Sequence, residues 1–170
     1  TPVTTVTINE FGDGRDITTV LTLTDFIVGT IPSANAALGV GNIVCAFPAG
    51  MHLELVYSFS VLNLKLPSTG VACDTGLGSV IASGAVSTLD GTATFEDRKT
   101  GVAITTSSTG GTAVSSLAGA TAGIGTGIAL NGTGAVKNVF VNAAGTFATG
   151  NAGSLTASGT IIIHWTKMSA

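Results

Sequence analysis

Apolar and polar side chains alternate with period two along much of this chain, and helical spacing is almost absent. Residues 3–8 are rich in β-branched side chains and read as a strand. Gly12, Asp13, Gly14, Arg15 and Asp16 follow, a set suited to a turn. Residues 17–26 interleave Thr with apolar residues toward their end. That predicts a half-buried strand with Leu21 and Leu23 on one face. Residues 31–41 are small and include Pro32, so they read as a loop. Residues 42–47 predict a short strand stopped by Pro48, Ala49 and Gly50.

The stretch 51–66 is the most informative. Met51, Leu53, Leu55, Tyr57, Phe59 and Val61 share one parity, whereas Leu62, Leu64 and Leu66 take the other. A strand changes its buried face only at a bulge, a bend or a passage between sheets, so a switch is predicted near Val61 and Leu62. Residues 68–78 read as a loop, and 79–81 and 84–86 as short strand pieces. Asp90 and Gly91 signal a hairpin turn into a strand at 92–97. Residues 105–135 are nearly all Thr, Ser, Gly and Ala; Ile124, Ile128 and Leu130 are candidate anchors for a short helix or an extended segment. A strand at 135–141, a turn at 142–145 and a final strand within 154–166 complete the chain. Roughly eight strands at spacings of about 8–12 residues predict an all-β, jelly-roll-like β-sandwich with few or no helices. The whole of 1–170 reads as one domain, and no repeat of about 20–50 residues indicates a solenoid.

Composition changes the picture in one respect. Only 9% of the 170 residues are charged, against about 25% in a typical soluble domain. The surface must therefore be built from hydroxyls, small side chains and backbone, and such a surface is easily buried against a partner. The formal net charge of −3 offers little repulsion between copies. The six basic residues are scattered, with only Arg98 and Lys99 adjacent, so no basic stripe is available to neutralise phosphates. Nucleic acid is not an expected partner. Mean hydropathy is +0.59, yet Thr, Ser, Gly and Asn interrupt every apolar run before the roughly 18 residues of a membrane helix. No membrane partner is expected, and the first residues lack the basic start and apolar core of a signal peptide.

Candidate chemistry is sparse. Asp74, Thr75 and Gly76 match the active-site turn of aspartic proteases, but Leu77 stands where that motif wants a small residue, and one copy would need a dimer. A turn with an Asx cap is the expected reading of the triplet, because tripeptide matches are common by chance. Asp13 and Asp16 offer too few oxygens for calcium, which takes about six to eight. His52 and His164 sit in predicted strands opposite the apolar parity, and no nucleophile elbow singles out a serine to pair with them. Cys45 and Cys73 form no CxxC motif and read as small buried side chains, although a disulfide between them stays open. Asn131, Gly132 and Thr133 form a formal glycosylation sequon, and the glycines at 123, 125 and 127 lack nucleotide-loop spacing. One Trp and one Tyr argue against a sugar-stacking module. The expectation is no catalytic residue, no metal and no cofactor.

Residues 4–16 (TTVTINEFGDGRD) with 19–26 (TVLTLTDF), and also 78–84 (GSVIASG) and 92–97 (TATFED), resemble virion-associated proteins of tailed bacteriophages. The resemblance implies a structural component of the particle, a capsid decoration or cement protein on the outer surface of the capsid. It implies binding to the major capsid protein and self-association, with a trimer favoured over a dimer. The candidate interface residues are Phe11, Arg15, Phe26 and Trp165; plain core is the competing reading for Phe26 and Trp165. The first strand is a candidate for adding to a neighbour's sheet edge, and segment 105–135 for an arm that orders on a neighbour. The alternatives are a host-receptor or glycan-binding domain of a phage fibre or tail, and a cell-wall hydrolase working through Asp74 or His164.

Overall fold

The computed structural model describes residues 5–32, 36–48, 51–65, 72–89, 94–105, 115–116, 128–130, 137–147 and 152–168. Among these lie ten strands and no helix: β1 (Thr5–Gly12), β2 (Asp16–Ile31), β3 (Ala36–Phe47), β4 (Met51–Lys65), β5 (Ala72–Gly78), β6 (Lys99–Thr105), β7 (Ser115–Ser116), β8 (Ile128–Leu130), β9 (Lys137–Phe147) and β10 (Gly153–Met168). All pairings between them are antiparallel. One sheet runs β1-β2-β10-β4, with β7 and β8 both on the far side of β4, and the other runs β3-β9-β5-β6. Their inner faces share one core. Leu21, Leu23, Phe26, Ile161 and Ile163 enter it from the first sheet; Val44, Phe47, Leu77, Val139 and Val141 enter from the second. The fold is an all-β sandwich.

Irregularities in the pairing re-phase the long strands of the first sheet. On β2 the buried positions are Thr19, Leu21 and Leu23, then Phe26 and Val28, then Ile31. The change of parity falls where Thr24 and Asp25 together oppose Ser158 of β10. Asp25 takes a φ of 44° there, and its N–H donates to Ser158 Oγ at 2.9 Å. An extra residue with a left-handed backbone re-phases the strand without breaking the sheet. The predicted face switch in β4 has the same origin. Val61 pairs with Thr160 and Phe59 with Ile161, so Ser60 is the extra residue. β10 buries its odd positions Leu155, Ala157, Ile161, Ile163 and Trp165 throughout. Across the β4–β10 ladder Leu64 and Leu62 pair with Ala157 and Gly159, and beyond the irregularity Phe59 and Tyr57 pair with Ile161 and Ile163.

Four expectations are corrected by the second sheet. Residues 36–41 are strand β3 and not loop, and 142–145 continue β9 where a turn was expected. Most of the expected loop 68–78 is β5, because Cys73, Thr75 and Leu77 alternate toward the core and are all buried. Conversely, the described residues of 79–86 and 94–97 form bends, turns and irregular chain, not strands. They are a strap laid over the outer face of the second sheet, where Ala82 and Leu89 bury against Ala144, with Val86 and Phe95 packed beside them. Asp90, Gly91 and residues 92–93 lie outside the described residues.

The strap is fastened by a buried amide. Asn142 on β9 accepts from the Ala82 N–H at 2.8 Å and donates to the carbonyls of Val80 at 2.9 Å and Phe95 at 2.7 Å. All four of its hydrogen-bonding positions but one are thereby used, as a buried amide requires. Asp97 holds the strap's start, accepting from Ser79 N–H at 2.7 Å and Ser79 Oγ at 2.6 Å. The Gly39 N–H of β3 donates to the Gly84 carbonyl at 3.0 Å, which occupies part of that edge strand. Small residues beneath the strap make the approach possible: a Cβ on Gly41 would overlap Asn142 Oδ1, and one on Gly78 would overlap the Phe95 carbonyl.

Candidate interaction surface

Two features meet at one end of the sandwich. Lys137 of β9 pairs with Phe47 of β3. Phe47 packs edge-on against Trp165 with ring centres 5.2 Å apart. Trp165 pairs with Ile17, and Ile17 pairs with Gly12 at the β1–β2 turn. The turn and the start of β9 therefore close the same end.

The first feature is the β1–β2 hairpin. β1 is an edge strand with almost no burial, and Phe11 near its tip is 62% exposed, with Ile8 at 50%. The turn is rigidly built. Asp13 Oδ1 accepts from the N–H groups of Arg15 and Asp16, both at 3.0 Å. These bonds, that to Asp16 foremost, hold the Asp13 carboxyl below its usual range. Asp16 Oδ1 accepts from Thr166 Oγ1 at 2.7 Å, and the Arg15 carbonyl accepts from Lys167 N–H at 2.7 Å. Thr18 Oγ1 and His164 Nδ1 lie 2.9 Å apart on the outer surface. Arg15 is exposed.

Of the four sequence-derived interface candidates, the hairpin thus presents Phe11 and Arg15 to solvent. Phe26, 5% exposed, and Trp165, 3% exposed, belong to the core instead. Trp165 keeps its polar end satisfied inside, Nε1 donating to Thr19 Oγ1 at 2.9 Å, and Thr19 Oγ1 donates on to Glu10 Oε1 at 3.3 Å. A cavity of about 70 Å³ lies between this group and Cys45, well below the roughly 300 Å³ at which ligand pockets begin.

The second feature is a groove of about 290 Å³, lined by Ser79, Val80, Ile81, Arg98, Lys137, Asn138 and Phe140. Val80 and Ile81 are each 43% exposed. Ile43, also exposed, pairs with Phe140 and so extends the apolar surface. Arg98 sits in the wall, 1% exposed, its guanidinium 5.8 Å from the centre of the Phe47 ring. Burial pulls its pKa down to about 10, and burial also lowers that of Lys99. Sequence reasoning missed this groove. Val80 and Ile81 are apolar, but a period-two pattern assigns such a run to a strand and does not show that it lies on top of a sheet.

The candidate chemistry falls into place more simply. Asp74, Thr75 and Gly76 lie within β5, opposite Ala144, Ala143 and Asn142 of β9, with Thr75 fully buried; they form no turn. Cys45 and Cys73 are free thiols. Burial pushes Cys45 up to about 12 and Cys73 up to about 11, so both are protonated and unreactive at neutral pH. His164 is exposed on β10 and His52 lies on β4, strands that pair side by side. No group of three or more His, Cys, Asp or Glu side chains that would hold a metal ion occurs among the described residues. The sequon at Asn131 and the glycines at 123, 125 and 127 lie outside the described residues. No family model, curated protein or solved structure matches this chain.

Proposed function

We propose that this chain is a virion structural protein that decorates and stabilises a bacteriophage capsid, associating with copies of itself and with the major capsid protein on the outer surface of the shell. The observation that carries the reading is the set of apolar side chains, Ile8, Phe11, Ile43, Val80 and Ile81, left on the surface of a charge-poor sandwich. Two of them stand on the rigid hairpin and three around the groove, and exposed apolar patches of that kind are favourable to cover. The jelly-roll assignment belongs to the same reading. Its support is the strand order β2-β10-β4-β7 facing β3-β9-β5-β6, in which successive strands from β2 to β5 change sheets. A protein that binds the assembled shell and not its loose subunits stabilises the shell by mass action.

The test is co-sedimentation with empty capsids of the cognate phage, with light scattering on the free chain. Saturable pelleting, and shells that resist heating better when decorated, are expected. A chain that stays in the supernatant at every concentration overturns the reading and directs attention to glycan arrays.

A further inference from the structure

We infer that the occupant of the groove beside Lys137 is the β1–β2 hairpin of a second copy of this chain, with Phe11 as the inserted anchor and Asp13 facing Lys137. This rests on the self-association part of the proposed function and names the contact that performs it.

Size is the first argument. At about 290 Å³ the groove lies just below the range of small-molecule pockets, and it suits one large side chain with its neighbours. Its lining is apolar where Val80, Ile81 and Phe140 stand, and carries an accessible cation at Lys137, whereas Arg98 is buried in the wall. An occupant should therefore carry an aromatic or aliphatic anchor next to a carboxylate. Among the described exposed large apolar residues, Phe11 is the most exposed, and Asp13 follows it by two positions on an exposed turn.

Charge and rigidity are the second argument. Asp13 spends Oδ1 on two backbone N–H groups, which fixes the carboxylate and keeps it ionised at neutral pH. The turn is bonded to β10 through Asp16 and the Arg15 carbonyl, so little ordering is needed on binding. Hairpin and groove lie at the same end of the sandwich on different sheets. A two-fold axis through that end places each hairpin in the other copy's groove, making two equal contacts in one interface. Aromatic anchors seated in pockets dominate such interfaces.

The experiment is light scattering on the full chain and on Phe11→Ser and Lys137→Glu variants, each checked for folding by circular dichroism and tryptophan fluorescence. The wild type is expected to be oligomeric, with each variant's dissociation constant weakened at least about tenfold. In an equimolar mixture of the two variants the mixed pair has one intact contact and one that carries both substitutions, so association returns only part of the way toward wild type. A second measurement covers a variant that misfolds: mixing Phe11→Cys with Ile81→Cys chains under mild oxidation yields a cross-linked dimer. Both chains also carry Cys45→Ala, because Cys45 is only part-buried, whereas Cys73 is buried. A monomeric wild type, or an oligomer indifferent to both substitutions and not cross-linked, overturns the contact. A monomer that still pellets with capsids removes this contact and leaves the decoration reading standing. An oligomer broken by both substitutions that ignores capsids does the reverse.

Discussion

Replacing Asn142 by Leu removes the amide that fastens the strap while nearly preserving side-chain volume. Three hydrogen bonds are lost, to the Ala82 N–H and to the carbonyls of Val80 and Phe95. At about 1 kcal/mol net for each, the bonds alone contribute roughly 3 kcal/mol. Asn142 is fully buried, so backbone groups are left without a partner, and each adds desolvation cost of the order of 1 kcal/mol. The expected loss is about 3–5 kcal/mol, a large share of the roughly 5–15 kcal/mol that stabilises a typical domain. Two outcomes are compatible with the reasoning and are told apart by two assays. If the strap stays docked, the urea midpoint falls by the full amount. If it detaches, the global loss is smaller, but the Ala82 amide loses its protection from hydrogen exchange and protease cuts within 79–98. A midpoint shifted by less than about 1 kcal/mol, with Ala82 still protected, refutes the view that this amide holds the strap. Asn142→Asp is the internal control. It keeps the acceptor for Ala82 but sets a carboxylate oxygen against two carbonyls, so it too must be destabilising.

Three further outcomes follow from the same geometry. Gly41→Ala puts a methyl against Asn142 Oδ1 and should cost about 1–3 kcal/mol by denaturant titration; the cost should shrink in an Asn142→Ala background, and strict additivity would show that the two sites do not touch. Trp165→Phe keeps the edge-on packing against Phe47 but orphans Thr19 Oγ1 from its donor, so a loss of about 1–2 kcal/mol is expected in thermal unfolding. Because Trp165 is the single tryptophan and is buried, wild-type emission should be blue-shifted and move red on unfolding; water-like emission from the folded chain contradicts its placement. Stability should fall as pH rises from about 9 to 10. The folded chain holds the Cys45 and Cys73 protons up to about 12 and 11, while unfolded thiols release theirs near 9.0. Their contribution is thus fully present below pH 9 and is lost as pH rises, at up to about 1.4 kcal/mol per pH unit for each thiol. Arg98 acts in the opposite sense only above about 10, where the folded chain releases a proton that the unfolded chain keeps to 12.5. Cys45→Ala with Cys73→Ala should flatten the decline, and a slope unchanged by the pair would exclude the thiols as its source.

What could be read from the sequence divides along a physical line. β2 and β10 have one face on the core and one less covered, so period two is visible in them, and in β4 the irregular pairing at Ser60 falls beside the change of leucine parity. The second sheet is covered twice, by the first sheet inside and by the strap outside. From Val141 to Gly145 every residue of β9 is buried, so no polar-apolar alternation survives there. The strap also demands small side chains below it, which is why Gly39, Gly41 and Ala144 occupy those strands. Small residues in series are the usual mark of a loop, and a sheet sandwiched between two layers borrows that appearance for a steric reason. Asn142 is the one residue that betrays the arrangement in advance. An amide flanked by valine and alanine in a strand of that kind has to bond to something other than its own sheet, and the strap above it is what it bonds to. The groove inherits its obscurity from the same source. Its apolar rim, Val80 and Ile81, is the start of the strap, so it becomes visible as a surface only once the strap has been placed on the sheet.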